Sequence, residues 1–170
     1  MRQLPATILF SALLGATAVQ TARAADTMSA TDKSFVAMVS QGGMFEVKAG
    51  AAAADQGSTQ VVKDQGSTEA HDHGLVGDKL KSIVSDAGVT LPNSLNATFQ
   101  KELDDLKALS GTMFDATYLK DMEAVHAKDG AAFAAESRNG SNPKLRAFAA
   151  ETHKIVESHI GELRATAAAK

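Results

Sequence analysis

The sequence predicts an all-α protein, an antiparallel four-helix bundle with an extra short helix between the second and third long helices. Three observations carry this. Alanine is abundant and β-branched runs are absent; apolar residues recur at three- and four-residue spacing over four long segments; and those segments are separated by short polar turns, except for one longer connection.

The first residues, MRQLPATILFSALLGATAVQTARA, have the layout of a secretory signal: Arg2, an apolar run from Ile8 to Val19, then Ala22-Arg23-Ala24. The expected organisation is therefore a signal peptide over 1–24, a flexible mature N-terminus over 25–31, and a single helical-bundle domain over 32–166. The run is too short to span a membrane, and no later stretch approaches the ~20 apolar residues a transmembrane helix needs. An exported protein, periplasmic or secreted and associated with the outer membrane as one option, follows from this.

In the first helix Asp32 is the expected cap, and Phe35, Val39, Gly42, Glu46, Ala49 and Ala53 form the stripe. Ser58 or Thr59 caps the second, whose stripe is Val62, Gln65 or Gly66, Glu69, His73, Val76, Leu80, Ile83 and Ala87, with Gly88 as its stop. Leu91-Pro92 breaks the chain, and Leu95, Phe99, Leu103 and Leu106 make either a fifth short helix or the opening of the third long one. From Thr112 the stripe resumes with Phe114, Tyr118, Met122, Val125, Asp129 and Phe133, flanked by Leu119 and His126, up to the turn Arg138-Asn139-Gly140-Ser141. Asn142 and Pro143 then read as N-cap and first helical residue, ahead of Leu145, Phe148, Thr152, Ile155, His159, Glu162 and Thr166. The long connection between the second and third long helices would suit a ferritin-like crossover; up-down-up-down order is equally compatible.

Composition excludes several functions. There is no cysteine among the 170 residues, hence no disulfide or thiol chemistry, and no tryptophan, one tyrosine and three prolines give no aromatic platform. Without Arg2 and Arg23 the balance is 15 − 20 = −5, which does not match a nucleic-acid partner. No nucleophile elbow or phosphate-cradling glycine loop is present.

Polar groups on the apolar stripes are the informative residues. Glu46, His73, His126 and His159 stand on four different helices at core positions, with His126 beside Val125. Folding about Gly57 and Gly140 brings each pair to within about one turn in height. Imidazole with carboxylate suits Zn, Mn, Fe or Cu, so these four are candidate metal ligands, with Glu69, Asp72, Glu123 and Glu162 behind them; a hydrogen-bonded core with no metal is the competing reading. A di-iron centre needs two Glu-x-x-His motifs, and only Glu123 to His126 supplies one in that order. His71 and His153 are expected in solvent, Met38, Met44, Met113 and Met122 in the core, and Glu102 to Asp105 on a solvated face.

DKSFVAMVSQGGMFEVKAG, the Asp72-His73 pair before LVGDKLKSIV, VTLPNSL, LSGTMFDATYLKDMEAVHAKD and the closing His159-Ile160 carry a resemblance over roughly Asp32 to Leu163. The chain resembles the bacterial exported family of domain of unknown function 4142. That resemblance implies a ferritin-like helical bundle, an exported or outer-membrane setting, and recurrent polar residues at Glu46, Asp72, His73, Asp115, Tyr118, His126 and His159; it implies no reaction. Three functions are thus in play: a non-enzymatic exported bundle holding a transition metal, a cell-envelope structural or interaction module with a metal-free, pH-sensitive core, and a ferritin-like oxidase.

Overall fold

The computed structural model describes residues 27–168, so the expected signal peptide and residues 25 and 26 lie outside the described residues. The described chain is all-helical: α1 (Ala30–Gln56), α2 (Gln60–Asp86), α3 (Ala97–Lys107), α4 (Gly111–Asn139) and α5 (Pro143–Ala168). The extra short helix is thus separate from the third long one.

Local chemistry sets most ends. Ser29, not Asp32, caps α1: its hydroxyl accepts from the Asp32 N–H at 3.1 Å while the Asp32 carboxylate accepts from the Ser29 N–H at 2.9 Å. Residues 28 to 31 therefore belong to the fold, with Met28 buried and the helix already begun at Ala30. Thr59 caps α2 and Asn96 caps α3. Gly88 follows the C-cap Ala87 with φ of 71°, a conformation open to glycine. The Asn142 side chain accepts from the Leu145 N–H at 3.0 Å, one residue ahead of Pro143 at the first helical position.

α1 packs on α2, α4 on α5, α1 on α4 and α2 on α5, and α3 covers α1 and α4. Polar contacts show which ends meet. Asp32, at the start of α1, accepts from the backbone and hydroxyl of Ser141 between α4 and α5. Ser58, at the α1–α2 turn, donates from its N–H at 2.9 Å and its hydroxyl to Asp115 near the start of α4. Lys144 in the first turn of α5 pairs with Asp86 at the end of α2. The connection from α2 to α4 returns along α1, where Gln41 accepts from the Asn96 N–H at 2.7 Å and Phe45 stacks on Phe99.

The apolar interior forms two clusters. One holds Phe45, Val62, Leu106, Phe114, Tyr118, Met122 and Leu163; the other holds Phe35, Val39, Leu80, Phe133, Leu145, Phe148 and Val156. Glu69, His73, His126 and His159 are buried on the stretches of helix that separate them, and Glu46 is buried next to Phe45 at the edge of the first cluster. The α1–α2 register is fixed by backbone contact: a Cβ on Gly66 would lie 2.6 Å from the Ala53 Cβ and 2.7 Å from the Gly50 carbonyl.

On α5 the buried line is Leu145, Ala149, Thr152, Val156, His159, Leu163 and Thr166. Ile155 is half-buried and Glu162 exposed, because a strict seven-residue spacing drifts by about 20° per heptad on a straight helix. Met113 is exposed rather than in the core, since it stands one position before Phe114 at the start of α4. His71 is in solvent, and His153 is half-buried beside Glu157.

Candidate metal centre

Four donor atoms converge in the polar layer: Glu69 Oε2 and His73 Nε2 from α2, His126 Nε2 from α4 and His159 Nδ1 from α5. Glu69 Oε2 lies 3.2 Å from His73 Nε2, 3.2 Å from His126 Nε2 and 3.1 Å from His159 Nδ1. The three ring nitrogens are 3.3, 3.4 and 3.3 Å apart. Six nearly equal edges make a near-regular tetrahedron, whose centre lies about 2.0 Å from each vertex, the distance of a zinc–imidazole bond. No ligand side chain exceeds 3% exposure.

Each imidazole is held by its other nitrogen. His73 Nδ1 is 2.9 Å from Glu46 Oε2, His126 Nδ1 donates to the Met122 carbonyl at 2.8 Å, and His159 Nε2 is 3.1 Å from Asp72 Oδ2. A carbonyl or carboxylate oxygen only accepts, so these contacts put the ring proton on the outer nitrogen and leave the inner nitrogen its lone pair. Carboxylate–histidine pairing of this kind orients ligands and raises their basicity. Glu69 is positioned by a chain in which Tyr118 donates to Gln65 Oε1 at 2.6 Å and Gln65 Nε2 donates to Glu69 Oε1 at 2.6 Å.

The result is four acceptors aimed at one point. Glu69 Oε2 is fully buried and makes no hydrogen bond, despite three nitrogens at close range. Such an arrangement is costly unless something positive occupies the centre. A proton is the weaker answer: burial pulls the His73 imidazole down, and Glu46 and Glu69 more than reverse this, lifting it to about 10. Burial would likewise raise Glu69, but the imidazoles of His126, His159 and His73 crowded around it hold it well below the carboxylate range. One such proton relieves one edge of the tetrahedron, whereas a cation at the centre meets all four donors.

The structure therefore brings together Glu69, His73, His126 and His159, with Glu46 and Asp72 one layer out. Glu46 reaches the layer but grips the far side of the His73 ring. Glu123 lies about 100° around α4 from the buried Met122 and pairs outside with Arg164 at 3.1 Å. Glu162 is exposed and accepts from Ser158. Asp129, buried on the stripe next to Gly42, is lifted to about 7 by its burial and by Glu46. Gln65 and Tyr118 were legible as core-facing polar positions, and Gln65 to Glu69 is a single turn within α2; the bond from Tyr118 was not legible, since it joins α4 to α2.

Fold and site define a class: an all-helical bundle protein with a buried imidazole–carboxylate cluster that could hold a metal ion. The chain belongs to the family described as domain of unknown function DUF4142, whose model matches residues 17–166. No curated protein and no solved structure matches it. Among the described residues no helix is long and apolar enough to cross a membrane.

Proposed function

We propose that this protein is an exported, ferritin-like antiparallel four-helix bundle that holds one zinc ion in a closed centre of Glu69, His73, His126 and His159. The observation that carries the proposal is the tetrahedron itself, with every imidazole lone pair turned inward by an outer partner. Three nitrogens and one oxygen in tetrahedral array suit zinc better than manganese, which favours six oxygen donors, or cupric copper, which favours a square plane. Four protein ligands leave no open position, the mark of a structural rather than a catalytic zinc site. The ion would tie α2, α4 and α5 together across a core that is otherwise split by its polar layer. An oxidase centre with two metals gains no support, since Glu123 and Glu162 point outward. The ferritin-like reading draws on the end contacts of α1 with α4 and on the returning α2–α4 connection; export draws on the signal-like leader.

The second reading keeps the cluster metal-free, as the pH-sensitive core of an envelope interaction module; the raised His73 is what favours it. Elemental analysis and cobalt(II) substitution separate the two. The zinc reading expects one equivalent of zinc, and an intense tetrahedral cobalt spectrum that His126→Ala and His159→Ala abolish. A protein that binds neither ion leaves only the second reading.

A further inference from the structure

Resting on the zinc reading above, we propose that the ion enters and leaves past His159 and Asp72, through local loosening of α2 and α5, so that Asp72 is the uptake carboxylate of the centre. The outer partners differ in exposure. Glu46 and the Met122 carbonyl are buried, whereas the Asp72 side chain is 35% exposed while still bonded to His159 Nε2. Asp72 is thus the one outer group that touches both solvent and a ligand ring. A mostly apolar cleft of about 220 Å³ also reaches His73; Ser40, Gly74 and Asp78 stand on its walls beside Val39, Met44, Val47 and Leu80, but the carboxylate bonded to a ligand ring is that of Asp72.

Glycine placement points the same way. Gly50 and Gly66 are required by helix contact, because a Cβ on either meets backbone within 3 Å. Gly74, next to His73, and Gly161, two residues beyond His159, are different: a Cβ on either meets nothing within 4 Å. Packing does not demand them, yet each weakens its helix beside a ligand. Segments that open locally are those with the least helical stability. α2 at Asp72–Gly74 and α5 at His159–Gly161 are therefore built to yield first, while the α1–α2 contact at Gly50 and Gly66 stays closed.

The experiment is zinc transfer to a saturating chromogenic chelator, and its converse, uptake by the stripped protein at low and high salt. Gly74→Ala with Gly161→Ala should raise the melting temperature and slow release by about fivefold per substitution, the glycine-to-alanine helix difference read as an opening rate. Asp72→Asn keeps an acceptor for His159 but loses the charge, so uptake should slow and lose its salt dependence. Glu123→Gln, an exposed carboxylate on α4, should leave uptake unchanged. If the wild-type protein takes up no zinc, the zinc reading itself fails. If zinc binds, but the alanine pair raises the melting temperature with release unchanged, or Asp72→Asn takes up zinc like wild type, this route is overturned.

Discussion

Glu69→Gln removes one vertex of the tetrahedron at nearly constant volume. Structural zinc sites bind with an apparent 10 to 16 kcal/mol, so losing one donor of four costs roughly 3 to 4 kcal/mol, a Kd raised on the order of 10²- to 10³-fold. At free zinc a thousand times the wild-type Kd, the ion stabilises the wild type by about 4 kcal/mol and the variant by about 0.4 to 1.4 kcal/mol. For a domain of this size that is a rise in Tm of about 12 to 16 °C against less than about 5 °C. The metal-free proteins should rank the other way. A glutamine can keep its oxygen on Gln65 Nε2 and turn its amide N–H2 toward the three lone pairs, so stripped Glu69→Gln should be at least as stable as stripped wild type. Scanning calorimetry with and without zinc gives all four numbers. Zinc raising the variant as much as the wild type, or raising neither, would refute the reasoning.

Three further outcomes follow. Because His73 is lifted to about 10 in the metal-free cluster, its contribution to stability is full below about pH 6.5 and is lost as pH rises toward 10; with zinc the proton is displaced and stability should instead rise through neutral pH, so urea midpoints measured against pH should slope oppositely with and without the ion. Burial, and then the nearby Asp32, raise Glu136 to about 7; an acid so raised binds its proton more tightly folded than unfolded, so stability falls between about pH 4.5 and 7, and Glu136→Gln should flatten that fall and unfold later than wild type at pH 8. Gly66→Ala drives a Cβ into the Gly50 carbonyl and should cost roughly 1 to 3 kcal/mol, whereas Gly77→Ala meets open space and should gain up to about 1 kcal/mol; opposite shifts in thermal melting check the pair.

Period-3.6 patterning needs only neighbours in sequence, so the sequence by itself determined the four long helices and the helical stripe from Leu95 to Leu106, while the separation of that stripe from α4 was left to the structure. It also determined that His73, His126 and His159 face inward, and that Asn142-Pro143 opens α5. Reading α5 in strict heptads put Ile155 and Glu162 too far inward, because the helix turns in 3.6 residues and only the line through Val156 and Leu163 follows the core. Sequence alone does not separate Ser29 from Asp32 as the cap of α1, because both are good capping residues and they bond reciprocally.

Which carboxylate closes the tetrahedron was a tertiary decision. Glu46 and Glu69 both stand on core stripes, and although Glu69 is one turn before His73 on α2, that spacing alone does not say which carboxylate meets the histidines of α4 and α5. The Gly50–Gly66 contact sets α1 against α2 at a height where Glu46 takes the Nδ1 edge of His73. The Nε2 edge then turns toward Glu69, His126 and His159. Periodicity placed the residues on the right faces; only the register between helices, fixed by backbone contact, chose among their atoms.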